Sequence, residues 1–143
     1  MLRTSLQYAV APEVAFDYLA DPRNRPEWQS SLKRVQLLDE GDPRVGQRWL
    51  DHTAVGLAPE MVITELVPHV RWAETGRWRG IEADLTLAFA PHGTGTRLDV
   101  AFEVRGRRLL APVGWVSTGA GLFAVRSDLA RAGRLLAERG GRS

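Results

Sequence analysis

Residues Gly121–Arg139 read GLFAVRSDLARAGRLLAER, and this stretch decides how the rest of the chain is organised. Leu122, Val125, Leu129, Ala132, Gly133 and Leu136 recur at steps of three and four, the spacing of one helical face. Asp128, Arg131, Arg134 and Glu138 fall on the other side, with Asp128–Arg131 and Arg134–Glu138 close enough to meet one turn apart. Gly140-Gly141 then ends the helix. Such a helix needs an apolar surface to lie on, and nearly everything between Val35 and Arg105 has the pattern of strands. The expectation is a long terminal helix laid across a curved antiparallel sheet.

Upstream, Leu2, Thr4, Leu6, Tyr8 and Val10 alternate with Arg3, Ser5, Gln7 and Ala9, a half-buried first strand. Pro12 suits the first turn of a helix, PEVAFDYLAD, which is expected to bury Val14, Phe16, Tyr18 and Leu19 together. Asp21-Pro22 ends it, and a short second helical turn, PRNRPEWQSS, carries Trp28. Six further strands are expected at Val35–Glu40, Gln47–Val55, Glu60–Val67, Val70–Gly76, Ile81–Ala90 and Thr96–Gly106. The segments between them, Gly41-Asp42-Pro43, Gly56–Pro59, Pro68-His69, Gly76–Gly80 and Pro91–Gly95, have turn compositions, so the strands should form hairpins. Pro112 is tolerable in the first turn of the last helix, whereas Gly114, Gly119 and Gly121 are costly inside it, at up to about 1 kcal/mol each. They point either to a bent or late-starting helix or to space left for something in front of them.

The 143 residues suit one domain, 1–143, able to bury roughly 68% of its unfolded surface. With no cysteine there is no disulfide and no thiolate chemistry, and a reducing cytoplasm is the simplest home. No apolar run has the length of a signal peptide or a membrane span, so stable membrane insertion is not expected. The net charge is +2, Lys33 is the single lysine, and the arginines are interleaved with acids. That distribution argues against a nucleic-acid stripe.

One strand, two short helices, six strands and a long helix is the helix-grip order. The segment Pro12–Trp28 (PEVAFDYLADPRNRPEW), Gly46 with Trp49 in VGQRW, ITELVP at Ile63–Pro68, Gly95-Thr96-Arg97 and Asp128-Leu129 give that order its particular character. Together they resemble the polyketide cyclase/dehydrase-like branch of the START and birch-pollen-allergen (SRPBCC) superfamily. The resemblance covers essentially the whole chain, and its motifs are structural rather than catalytic. It implies an α+β fold in which a seven-stranded sheet curls around the last helix and leaves a hydrophobic cavity. Members bind lipids, sterols, polyketides or aromatic metabolites, and some are aromatases or cyclases.

Candidate site residues follow from that cavity. Trp28, Trp49, Trp72 and Trp115 suit the walls of a pocket for a flat apolar ligand, although each has an ordinary packing reading as well. Leu85 and Leu87 are expected to contribute from the sheet, and Gly119 and Phe123 from the helix, with the ligand under the stretch Pro112–Gly121. Trp78, between Arg77 and Arg79, is expected at the rim or exposed. Strand parity puts Asp51 on the face of Trp49, and Glu74 on that of Trp72. If those faces look inward, a desolvated Asp51 or Glu74 could carry a proton. The ordinary reading of Asp51, His52, Glu65 and Glu74 is a solvated charge at the sheet surface. Arg126, beside the apolar stripe, either turns inward to pair with Glu74 or Asp51 or reaches water along the helix margin, the reading we favour.

The histidines His52, His69 and His92 are too scattered for a metal site, no nucleophile elbow is present, and no glycine loop cradles a phosphate. No cofactor is expected. Three functions remain: binding an apolar or aromatic small molecule; a cyclase, aromatase or dehydrase that folds a polyketide and uses a cavity carboxylate; and a protein-interaction module. A homo-oligomer is allowed but has no support in the sequence.

Overall fold

The computed structural model describes residues 1–106 and 111–140, with side chains of the last helix from 121 onward. The chain runs β1 (Leu2–Tyr8), α1 (Pro12–Ala20), a 3-10 turn (Pro22–Asn24), α2 (Arg25–Trp28), β2 (Leu32–Leu37) and β3 (Arg48–Thr53). It continues through β4 (Glu60–Val67), β5 (Arg71–Trp78), β6 (Ile81–His92) and β7 (Gly95–Arg105) to α3 (Ala111–Gly140). The strands form one seven-stranded antiparallel sheet in the order β1-β7-β6-β5-β4-β3-β2. Six strands meander and the first returns to pair with the last, as the short turns require. Register shifts at Leu32/Arg34 and Ile63/Glu65 bend the sheet.

Register aligns the inward side chains in rows across the strands. Trp49, Met61, Gly76 and Ala83 form one row, and Ile63, Glu74, Leu85 and Phe102 form the next. Helix α3 packs over β7 and β1 on this side. Its stripe behaves as its spacing predicts: Leu129, Ala132 and Leu136 are buried, with Leu122 and Val125 packed against the core. The two expected charge pairs along α3 do not form. Asp128 instead accepts from Ser30, and Arg131 donates to the Glu27 carbonyl, tying α3 to the α2 region.

Strand boundaries shift by up to three residues, and one face differs from the sequence expectation. The second strand begins at Leu32, the fifth runs on to Trp78, and the sixth to His92. The last begins at Gly95 rather than Thr96. Gly76, expected at the junction of strand and turn, is a strand residue opposite Met61 and Ala83. A Cβ there would lie 2.8 Å from Met61 Sδ, so the glycine serves a close approach across strands. The actual turn uses Arg79 and Gly80, both at positive φ. In α1, Val14 is half exposed while Ala15, Phe16, Tyr18 and Leu19 are buried. Val14 shares the outward side of α1 with Glu13 and with Asp17, its neighbour one turn on, opposite the buried Ala15 and Leu19. Helix α3 starts at Ala111, early enough to exclude the late-starting reading.

Candidate functional site

A cavity of about 350 Å³ opens between the sheet and α3. Its apolar wall comes from Met61, Leu85 and Phe102 on the strands and Val125 on the helix, with Trp28 beside them. Trp78, Ile81 and Pro59 border it, and Arg25, Asp51, Glu74 and Asp128 supply charge. Phe102 owes its place to Gly121, because a Cβ on that residue would overlap the Phe102 ring. Space left by a helix glycine is therefore filled here by an aromatic ring.

Asp51 and Glu74 are 2% and 4% exposed, which corrects the reading of both as solvated surface charges. They follow Trp49 and Trp72 inward because each lies two residues along the same strand. His52 and Glu65 keep the solvent-facing role: His52 meets Gln36 and Glu65 pairs with Arg71. Arg126 is exposed and donates to Thr4 Oγ1, so it is not the partner of the buried acids.

That partner is Arg25. Its Nη1 and Nη2 donate to the two Glu74 carboxylate oxygens, both at 3.0 Å, and Nη2 lies 3.7 Å from Asp51 Oδ2. Nε donates to Gln29 Oε1 at 3.1 Å. The guanidinium carbon sits 5.3, 5.4 and 6.0 Å from the ring centres of Trp28, Trp49 and Trp72, within cation–π reach of all three. Trp49 Nε1 donates to Asp51 Oδ1 at 2.8 Å and orients that carboxylate. Helix α2 is itself pinned: Glu27 accepts from Tyr18 of α1 and Arg139 of α3.

The electrostatics are asymmetric. Burial works to lower the Arg25 pKa, but Glu74 and Asp51 together outweigh it, and the guanidinium is held charged. Glu74 faces one cation and a second acid; burial raises its carboxyl to about 6, against the pull of Arg25 and with a further push from Asp51. Glu74 is thus an acid poised to exchange a proton near neutral pH, at a cavity wall.

Of the residues expected around a ligand, Trp28 and Leu85 line the cavity. Trp49 and Trp72 stand behind Arg25, and Leu87 is buried in the core. The Phe123 side chain is 77% exposed and does not border the cavity, since one residue along a helix turns it away from Leu122. Trp115 and Gly119, and with them the expected seat under Pro112–Gly121, lie outside the residues whose side chains are described. Arg25 was missed by the sequence reading. Its available signal was an arginine within PRNRPEW, beside a tryptophan and a short helix that must pack on the sheet. Among the described residues, no group of three or more His, Asp or Glu is arranged to hold a metal ion. No described helix is long and apolar enough to cross a membrane.

A family model described as polyketide cyclase / dehydrase and lipid transport matches residues 2–140. Among solved structures, the di-domain ARO/CYC StfQ from the steffimycin biosynthetic pathway superposes with a TM-score of 0.78 at 17% identity. That likeness covers 98% of this chain and 51% of StfQ, so this chain spans about half of it. A START superfamily protein from Mycobacterium smegmatis matches with a TM-score of 0.75 at 14% identity, over 94% of this chain and 97% of that one. Protein CV1439 from Chromobacterium violaceum matches with a TM-score of 0.70 at 20% identity, over 94% and 95%. No curated protein matches the sequence.

Proposed function

The chain belongs to the polyketide cyclase / dehydrase and lipid transport family, and we propose that it binds an apolar or aromatic small molecule, lipid- or polyketide-like, in the cavity under α3. The observation that carries this reading is the cavity itself, about 350 Å³ with a largely apolar wall and polar groups gathered on one side. Pockets for small organic ligands have this size and composition. An open cavity favours a small molecule over a protein partner, which would leave the interior filled. The continuous sheet supports treating residues 1–143 as one domain, and the absence of cysteine accords with a cytoplasmic setting.

The test is titration with the neutral dye N-phenyl-1-naphthylamine, whose emission rises in apolar surroundings. Saturable binding is expected, lost in Ala83→Phe, which fills the wall, with thermal stability kept. A wild-type protein that shows no saturable binding would sink the reading.

A second reading, a cyclase or dehydrase, draws its support from Glu74, a carboxyl poised near pH 6 on the cavity wall. Holding a reactive chain in one folded shape would supply most of the rate, and Glu74 or Asp51 would move the proton. Under that reading Glu74→Gln and Asp51→Asn abolish turnover of a polyketide chain while leaving its affinity largely unchanged. Unaltered turnover in both variants would remove them as proton carriers.

A further inference from the structure

The charges on the cavity wall are unbalanced in one direction. Three carboxylates border it, those of Asp51, Glu74 and Asp128, and Arg25 is the one cation among the described residues that does so. An arginine in an apolar pocket would ordinarily suggest an acidic ligand. Here the guanidinium is already committed: both Nη atoms are bound to Glu74, Nε is bound to Gln29, and three tryptophan rings lie around it. A carboxylate entering the cavity would compete with Glu74 and Asp51 for the guanidinium and would add a negative charge beside both acids.

Two of the carboxylates keep acceptor capacity toward the cavity. Asp51 is 2% exposed; its Oδ1 takes the Trp49 donor, while Oδ2 has no hydrogen-bond donor among the described residues, its nearest cation being Arg25 at 3.7 Å. Asp128 Oδ1 takes the Ser30 amide and hydroxyl, and Oδ2 has no hydrogen-bond donor among those residues. Neither Oδ2 is among the buried polar atoms left without a partner, so each keeps acceptor capacity that a charged donor from a ligand in the cavity could use.

We propose that this cavity selects a ligand with a protonated amine at its polar end, its apolar body lying against Met61, Leu85, Phe102 and Val125 and its ammonium group donating to Asp51 and the neighbouring carboxylates. The proposal rests on the cavity-binding reading above and names the chemical class that the cavity prefers.

Three probes share one apolar body and differ at one group: 1-naphthylmethylamine, 1-naphthalenemethanol and 1-naphthoic acid. Isothermal titration near neutral pH should give the amine an affinity at least about tenfold above the alcohol, with the acid weakest, as expected for one charge-assisted hydrogen bond. Asp51→Asn, which keeps an acceptor for Trp49 but removes the charge, should cut the amine-to-alcohol ratio to near one. Asp128→Asn, at a half-buried position on α3, should lower the same ratio and serves if the first variant does not fold. An acid or alcohol that binds as tightly as the amine would overturn the proposal while leaving cavity binding intact. Failure of all three probes, together with the neutral dye, would remove cavity binding and this inference with it.

Discussion

Arg25 and Glu74, 49 residues apart in the chain, meet in a two-pronged ion pair with both contacts at 3.0 Å and 4% of each side chain exposed. The pair joins the short helix after α1 to the middle of the sheet, and it stands where the cavity begins. Neither partner could be desolvated without the other. The guanidinium also relieves Asp51, so the three groups act as a unit.

Removing the cation alone should therefore cost more than removing the pair. Arg25→Met leaves Glu74 and Asp51 buried beside an apolar group, and an expected loss of about 3–5 kcal/mol follows. The double variant Arg25→Met/Glu74→Met removes one of the two stranded charges and should be more stable than the single one. Urea unfolding of the wild type and the two variants measures both. A single variant within about 1 kcal/mol of wild type would mean that the pair contributes no more than an exposed one.

Glu74 also sets a pH dependence whose sign can be worked out. Its folded carboxyl, at about 6, lies above the ordinary 4.5, so the folded state holds this proton more tightly than the unfolded chain. The stabilisation is fully present below about pH 4.5 and is lost as the pH rises through about 6, amounting to about 2 kcal/mol. Other acids move the opposite way: the carboxyls of Asp21, Glu27 and Asp39 are depressed and favour higher pH. Comparison with Glu74→Gln cancels those. The stability of wild type relative to the variant should fall between pH 4.5 and neutrality; a constant difference would show that Glu74 ionises normally.

Two glycines of α3 should respond differently to alanine. At Gly133 a Cβ would come within 2.7 Å of Tyr8 Cε1, and that ring is held by its hydroxyl donating to the Leu129 carbonyl at 2.6 Å. Gly133→Ala should destabilise by about 1–3 kcal/mol despite the better helix propensity. At Gly121 the obstacle is the Phe102 ring, which borders open space and can shift into the cavity. Gly121→Ala should cost less stability but weaken dye binding. Thermal melts with dye titrations separate the two, and a Gly133→Ala protein more stable than wild type would contradict the packing described.

Phe123 supplies a control. Its ring is exposed and off the cavity, so Phe123→Ser should leave stability within about 0.5 kcal/mol and dye affinity unchanged. Phe102→Ala, on the wall, should alter that affinity. Loss of binding in the Phe123 variant would return the residue to the site.

Local periodicity made most of the architecture legible. The stripe of Leu129, Ala132 and Leu136 and the alternation of Leu85, Leu87 and Phe89 are set by backbone geometry, and burial follows the repeat. Glu60–Val67 was readable to the residue because Pro59 and Pro68 flank it. Parity likewise tied Asp51 to Trp49 and Glu74 to Trp72. Which face turned inward, and what met the acids there, was not local: it depended on the sheet curling under α3 and on α2 delivering Arg25 across 49 residues. Gly76 shows the same limit, since the sequence sets it at the junction of strand and turn and only the contact with Met61 explains a glycine within the strand. Periodicity is a property of neighbours along the backbone, whereas the desolvation of a charge and its compensation depend on groups that only folding brings together.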